Sequence, residues 1–233
     1  MLAFTTVSRN HALPADEAPA PEVEPGLPEA PLPALVGVRA IVLVGMPGAG
    51  KSSIGRRIAA RLGLPFADAD SEIEAAAGLP ITEIFTRYGE PHFRDGERRV
   101  IGRLLTGPPL VLATGGGAFA DPRTRAMVQA SSALSVWLRC SLPTLSRRVV
   151  GREHRPLFLD KDPREVLERL ITFRHPLFAE ADIIVDCTDE PPEQTTRRVI
   201  EAIAQHHAEA ARLRHPGGGG AAGTGRRLSL IHI

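Results

Sequence analysis

Apolar residues recur along the chain with two different spacings, and these spacings predict the order of strands and helices. Runs that are mostly apolar and rich in β-formers are typical of strands buried on both faces of a parallel sheet. Such runs occur at 40–44, 110–113, 134–138 and 183–185. Helical spacing, with an apolar residue at every third or fourth position, follows the first run from Ile54 to Leu62.

A short second strand is predicted at 65–70, and two acids, Asp68 and Asp70, lie at its end. Ser71 and Glu74 have the spacing of a capping box, which predicts that a helix opens there. Further helical patterns run through 84–88 and 97–105. Since strands and helices alternate, the fold class is α/β with a doubly wound sheet.

Both ends of the chain lack such a pattern. Residues 1–36 are rich in Pro, Ala and Glu, and we expect a disordered extension there. Residues 37–214 form the predicted domain, and residues 215–233 are expected to be a flexible Gly-rich tail. We assign no function to the last eight residues of the tail, 226–233.

Composition and charge narrow the possible partners. The 233 residues suit one domain with tails, and a net charge of +1 gives no reason to expect a nucleic-acid or membrane partner. No apolar run approaches the length of a membrane span. Cys140 and Cys187 are far apart in the sequence and lack metal-ligand spacing, so we expect two reduced, packed thiols and a cytoplasmic protein.

A glycine-rich motif lies between the first predicted strand and the helix that follows it. Residues 45–52 read Gly-x4-Gly-Lys-Ser. In that context, backbone N–H groups and a helix start can surround phosphate oxygens, Lys51 can contact the β- and γ-phosphates, and the Ser52 hydroxyl can bind Mg²⁺. An incidental glycine turn is the alternative. The motif predicts a nucleoside triphosphate site.

Two other segments end at the same predicted edge of the sheet, where ligands bind in α/β proteins. Asp68 and Asp70 could organise the water shell of a metal and orient an attacking hydroxyl. The glycines at 115–117 indicate a close approach of the backbone to another group. Taken alone, Asp70 could instead cap a helix, and the glycines could form a simple tight turn.

Arginines indicate the kind of substrate. If Arg94 and Arg174 both point into the crevice, they can bind an anion through paired hydrogen bonds. Arginines crowd the segment that ends in Arg155, and a basic loop of this kind can close over a triphosphate. Solvated surface cations are the alternative for both sets.

Five motifs, taken together in this order and spacing, resemble the shikimate kinase family. They are Gly-x4-Gly-Lys-Ser, Asp68-Ala-Asp70, Phe93-Arg94-x2-Glu97, Thr114-Gly-Gly-Gly117 and Arg155-Pro-Leu. The resemblance covers roughly residues 39–205 and implies a three-layer P-loop kinase fold with a five-stranded parallel sheet, helices on both faces and a lid. The substrate region would be about 68–106 and the lid about 148–162. The implied reaction converts ATP and shikimate to ADP and 3-phosphoshikimate, a step in chorismate and aromatic amino acid biosynthesis. We expect the protein to be a monomer.

On the nucleotide side, the resemblance implies that Ser52 binds Mg²⁺ directly, that Asp68 holds it through water, and that Arg155 reaches the phosphates from the lid. Lys51, Asp70 and Arg155 would be the catalytic residues. The ATP loop matches six consecutive residues, namely Gly48, Ala49, Gly50, Lys51, Ser52 and Ser53.

On the substrate side, the resemblance implies that Asp70 binds the shikimate hydroxyls and is the candidate base. Arg94 and Arg174 would hold the carboxylate, and Gly116 would contact the substrate. These roles agree with the chemistry of shikimate, which has one carboxylate and three hydroxyls.

Several positions depart from the family pattern. Residues 186–190 are acidic where the family often has a basic residue near the adenine, so no adenine contact is assigned there. Arg148 and Arg152 both qualify as the second lid arginine, and Phe158 replaces a usual leucine.

Two rival functions remain open at this point. A related sugar-acid kinase, such as a gluconate kinase, would share the glycine-rich motif but not the motifs around Arg94 and 114–117. An inactive nucleotide-binding module would be expected to lack Lys51, Asp70 or Arg155, and all three are present.

Overall fold

The computed structural model describes residues 38, 40–149 and 162–214 and the backbone of residues 231–232. The expected N-terminal extension, most of the Gly-rich tail and most of the lid, including Arg152, Arg155 and Phe158, lie outside these residues. Seven α-helices are described, α1 Lys51–Leu62, α2 Ala69–Ala77, α3 Ile81–Thr106, α4 Pro122–Ala130, α5 Leu142–Val149, α6 Pro163–Phe178 and α7 Pro192–Arg214, together with a 3₁₀ helix at Ala118–Ala120.

One parallel sheet carries the fold. Its strands are β1 Ala40–Val44, β2 Phe66–Asp68, β3 Leu110–Ala113, β4 Ala133–Cys140, β5 Ile183–Cys187 and β6 Ile231–His232. They are arranged in the order β2-β3-β1-β4-β5-β6, and every pairing is parallel. The predicted five-stranded parallel α/β sheet with helices on both faces is confirmed. The sequence did not predict β6, whose two residues pair with Ile183 and Ile184 at the edge of the sheet.

The central strands are buried because they are apolar on both faces. All five residues of β1 and all four of β3 are buried. α1 turns Ile54, Ile58 and Ala59 into this core and ends at Gly63, whose left-handed backbone donates its N–H to the Ala59 carbonyl.

The start of α2 differs from the predicted capping box. The N-cap is Asp68, whose carboxylate accepts the N–H of Asp70, whereas Glu74 accepts the N–H of Ile81. The helix therefore begins at Ala69, two residues before the predicted cap at Ser71. The prediction was wrong because β2 runs directly into α2. Asp68, the acid that ends the strand, therefore also caps the helix.

α3 is two helical segments joined at Gly89, whose φ of 79° and ψ of 170° are not helical. Pro91 follows at the start of the second segment. A small second core, made of Ile73, Ile84, Phe93 and Val100, joins α2 to both segments. Among the described helices, none is long and apolar enough to cross a membrane.

Candidate active site

The loop between β1 and α1 wraps around the Lys51 side chain. Gly48 and Gly50 have φ values of 86° and 92°, which L-residues with side chains rarely adopt. Lys51 is 9% exposed, and its Nζ donates to the carbonyls of Gly45 and Met46 at 3.0 and 3.1 Å. The lysine cation is thus held against the loop, where the start of α1 adds its own positive end.

A hydroxyl and a carboxylate lie together beside this loop. Ser52 Oγ donates to Asp68 Oδ2 at 2.5 Å, and Asp68 Oδ1 accepts the N–H of Asp70 at 3.1 Å. Mg²⁺ prefers oxygen ligands and keeps several waters when it binds beside phosphates, so this pair fits such an ion. Over the described residues, no group of three or more His, Cys, Asp or Glu side chains could form an all-protein metal site.

Two carboxylates lie over Gly115, just after β3. A Cβ atom at this glycine would lie 2.8 Å from Asp70 Oδ1 and 2.7 Å from Glu97 Oε1. A side chain at this position would therefore displace the carboxylates from the end of the strand. Sequence reasoning included Glu97 in a motif but gave it no role, because its position becomes clear only when α3 packs against this turn.

Glu97 is fully buried, at 0% exposure, and forms an ion pair with Arg94 at 2.6 Å. Burial raises the pKa of the Glu97 carboxyl, and the charge of Arg94 offsets only part of this effect. Burial alone would lower the pKa of Arg94, but Glu97 and Glu90 outweigh it, so the pKa of Arg94 is raised. Arg94 therefore keeps its positive charge.

The second arginine reaches the same turn from α6. Arg174 Nη1 donates to the Gly116 carbonyl at 2.8 Å. Burial lowers the pKa of Arg174, and the charge of Arg94 lowers it further. Two arginines whose charges repel each other at one turn favour the binding of an anion there.

The glycine turn is also tightly packed on its other sides. A Cβ at Gly116 would lie 2.9 Å from the Pro47 ring, and one at Gly117 would lie 2.7 Å from Arg94 Nη2. The turn therefore contacts the loop of residues 45–52, the P-loop, through Gly116, and α3 through Gly117. The glycines are therefore explained by close packing against neighbouring groups, and not by a tight turn alone.

Seven of the predicted site residues lie together at this edge of the sheet. They are Lys51, Ser52, Asp68, Asp70, Arg94, Gly116 and Arg174. Ser53 is placed differently, because its exposed side chain accepts a hydrogen bond from Arg57 at 2.8 Å. The Ser53 hydroxyl thus bonds Arg57 on the helix surface. Of the polar groups of this residue, the backbone N–H is the one left to contact a phosphate.

The region after β5 is held by arginines. Arg148 donates to the Thr188 carbonyl at 2.8 Å, Arg147 pairs with Asp189, and Arg198 pairs with Glu190. The acidic residues that depart from the family pattern thus all partner arginines, Asp189 and Glu190 those of α5 and α7, and Asp186 Arg139 of β4.

Comparisons with known proteins agree on one family. The family model described as "Shikimate kinase" matches residues 47–204. A shikimate kinase of Paramagnetospirillum magneticum is 60% identical over 165 residues, which cover 71% of this chain and 84% of that protein.

Solved structures show the same fold. The shikimate kinase from Acinetobacter baumannii, solved in complex with shikimate, has a TM-score of 0.71 and 32% identity, covering 75% of this chain and 98% of that one. A gluconokinase from Sinorhizobium meliloti 1021 has a TM-score of 0.54 at 23% identity, covering 77% of this chain and 99% of that one, and shares the fold alone. The family match and the identity to curated relatives decide the assignment: the chain belongs to the shikimate kinase family.

Proposed function

We propose that this protein transfers the γ-phosphoryl group of ATP to the 3-hydroxyl of shikimate, giving ADP and 3-phosphoshikimate. Family membership supports kinase activity with ATP. The observation that carries the choice of substrate is the arrangement around residues 115–117. Arg94 and Arg174 both lie at this turn, where together they could bind an anion, and the Asp70 carboxylate lies beside them. Shikimate needs both, since it carries one carboxylate and three hydroxyls.

The nucleotide would bind on the P-loop. Backbone N–H groups of residues 48–53 would surround the phosphates, and Lys51 would follow the charge that builds on the β–γ bridge. Ser52 would bind Mg²⁺ directly and Asp68 would hold it through water. When bound, the metal neutralises charge on the β- and γ-phosphates. Arg155, from the part of the lid outside the described residues, would contact the phosphates when the lid closes.

Shikimate would lie against the glycine turn. Arg94 and Arg174 would bind its carboxylate through paired hydrogen bonds, and the backbone of Gly116 would contact its ring. The Asp70 carboxylate would then accept the proton of the 3-hydroxyl as the oxygen attacks phosphorus. Glu97 would keep the Arg94 guanidinium in position, because it pairs with Nη1 at 2.6 Å.

A coupled assay of ADP release tests the proposal. Purified protein with ATP and Mg²⁺ is given shikimate, with gluconate as the matched control. We expect ADP release with shikimate and background release with gluconate. Turnover of gluconate would instead support the sugar-acid kinase, and no turnover of either acid, with normal nucleotide binding, would support the inactive module.

A place in chorismate and aromatic amino acid biosynthesis follows from the proposed reaction. Two further expectations remain predictions from the sequence, a cytoplasmic location and a monomeric state. Light scattering of the purified protein would test the second. A dimer that persists on dilution would contradict it.

A further inference from the structure

Two cysteines that the proposed reaction does not use lie side by side at the ends of two strands. Cys140 ends β4 and Cys187 ends β5, and the two residues are paired in register across these neighbouring strands. Both are buried, at 1% and 4% exposure, and both are free thiols. Paired residues on adjacent strands have Cα atoms about 5 Å apart, which is inside the range of roughly 4.4–6.8 Å that a disulfide requires.

Cys140 also contacts the P-loop. Its Sγ lies 3.8 Å from the Ala49 carbonyl oxygen and 3.9 Å from Arg148 Nη1. The other terminal nitrogen of the same guanidinium donates to the carbonyl of Thr188, which directly follows Cys187. One arginine therefore links the sulfur at the end of β4 to the chain that leaves β5. A movement of the Cys140 sulfur would therefore change its contact with the P-loop backbone at Ala49 and its contact with Arg148.

The two thiols are chemically unequal. A hydrogen bond with Cys187 lowers the pKa of Cys140, and the charge of Arg148 acts in the same direction against the opposing effect of burial. The same hydrogen bond, together with burial, raises the pKa of Cys187. A thiolate is the nucleophile in sulfur oxidation, so Cys140 is the thiol that reacts first.

We propose that Cys140 and Cys187 form a reversible disulfide on exposure to a peroxide, and that this bond weakens nucleotide binding at the P-loop. The Cys140 thiolate attacks one peroxide oxygen, the O–O bond breaks, and the leaving hydroxide is protonated to water. The resulting sulfenic acid is attacked by the Cys187 sulfur, the S–O bond breaks, and a second water leaves with the thiol proton. Overall, two thiols lose two electrons to one peroxide molecule.

The expected effect on the site follows from the geometry of the bond. A disulfide holds its sulfurs about 2.05 Å apart, closer than two thiols in contact. The Cys140 sulfur must therefore move toward the Cys187 sulfur, which changes its contacts with the Ala49 carbonyl and Arg148. Because the Ala49 backbone belongs to the phosphate loop, we expect the loop to lose its fit to the nucleotide. The inference rests on the proposed function only in taking this loop as the nucleotide site.

The test uses the full-length protein, reduced and then treated with hydrogen peroxide. Intact-mass measurement should show the loss of two hydrogen atoms, and proteolytic mapping should recover one peptide pair linked through Cys140 and Cys187. Binding of a fluorescent ATP analogue should weaken roughly fivefold or more, within the usual range of coupling between sites. Dithiothreitol should restore both the mass and the affinity.

Cys187→Ser and Cys187→Ala are matched controls, because they keep Cys140 but cannot form the bond. Both should retain nucleotide affinity under the same treatment. The proposal is overturned if no linked peptide forms, if the bond forms without a change in affinity, or if wild type and both variants lose affinity equally. The readouts are mass and nucleotide binding. Failure of the proposed shikimate reaction would appear separately, as normal nucleotide binding without turnover.

Discussion

At the scale of single residues, the charges of the site are positioned by the spaces that glycines leave open. Arg94 fits beside Gly117, and Asp70 and Glu97 fit beside Gly115, at distances that no side chain at those glycines would allow. Glu97 then fixes one edge of the Arg94 guanidinium through an ion pair in a buried setting. The consequence is an arginine whose orientation is set before the substrate arrives.

Arg94→Lys should raise the KM for shikimate about ten- to a hundredfold, while kcat changes little. Lysine keeps the charge but lacks the planar pair of donors, and the loss of a charge-assisted hydrogen bond typically costs about 1.5–3 kcal/mol. Steady-state kinetics with shikimate and ATP varied separately provide the measurement. Arg99→Lys is the control, since this arginine lies on the same helix with its side chain 70% exposed.

Arg155→Lys should give the opposite pattern, with a lower kcat and a nearly unchanged KM for shikimate. An arginine that contacts the transferred phosphoryl group acts mainly in the transition state. The same kinetic measurements compare the two variants. If Arg155→Lys raises the shikimate KM and Arg94→Lys lowers only kcat, the two roles are reversed.

At the scale of secondary-structure elements, close helix–sheet packing places the P-loop helix. Gly55 of α1 faces the sheet, and a Cβ there would lie 2.6 Å from the Phe66 ring and 3.1 Å from Leu43 Cδ1. Arg56 in turn lies over the same ring, 4.6 Å from its centroid. The approach of α1 to β2 therefore depends on the absence of a side chain, and it brings Ser52 to Asp68.

Gly55→Ala should lower the free energy of unfolding by about 1–3 kcal/mol, because overpacking forces the ring or the helix to move. Gly96→Ala is the matched control in α3, where an added Cβ would meet nothing within 4 Å. There we expect a gain of roughly 0.5–1 kcal/mol from helix propensity. Urea unfolding of both variants checks the signs. Equal effects would show that α1 does not depend on this contact.

His175 in α6 makes the free energy of unfolding depend on pH. Its ring packs edge-on against Trp137 with centroids 4.9 Å apart, and burial, followed by the charge of Arg139, lowers its pKa. The unfolded chain therefore binds the proton more readily than the folded one. The stability that this neutral imidazole contributes is present above its unfolded pKa and is lost as the pH falls toward the lower folded pKa.

Wild type should accordingly lose free energy of unfolding as the pH falls below about 6.5, by at most about 1.4 kcal/mol per pH unit for one group. His175→Gln should show a shallower dependence, since it removes the buried imidazole. Urea unfolding at several pH values between neutral and mildly acid is the measurement. His92→Gln, on the surface of α3, is the control, and an equally shallow slope there would contradict the assignment.

At the scale of the whole molecule, the site is built from the carboxyl ends of three strands, from the starts of α1 and α2, and from α3 and α6, all between Gly45 and Arg174. The ends of the chain contribute none of the described site contacts. One described segment near the C-terminus does join the fold, because Ile231 and His232 pair with β5.

Two truncations separate the roles of the ends. Removal of residues 1–36 should leave the free energy of unfolding and the activity unchanged, because that sequence has no periodic apolar face. Removal of residues 215–233 should cost about 1–2 kcal/mol of free energy of unfolding, the scale of one or two hydrogen bonds at a sheet edge, with activity retained. Thermal unfolding and the shikimate assay check both. A large loss in the first truncation would show that the extension packs against the domain.

Much of the fold and several parts of the site could be predicted from the sequence, because local patterns carry them. Apolar runs predicted four strands and the short segment at 65–70 a fifth, and the order Gly-x4-Gly-Lys-Ser between a strand and a helix predicted the phosphate loop. The motifs around Arg94 and 114–117 pointed to one family, which the comparisons confirm. These features depend on residues that are neighbours in the chain.

Tertiary structure alone decided the rest, because it depends on residues that are distant in sequence. Sheet register places Cys140 beside Cys187, and helix packing buries Glu97 between Arg94 and the glycine turn. The same packing makes Asp68 both the helix cap and the partner of Ser52. No local spacing encodes these contacts, since each one requires two elements that meet only in the folded chain.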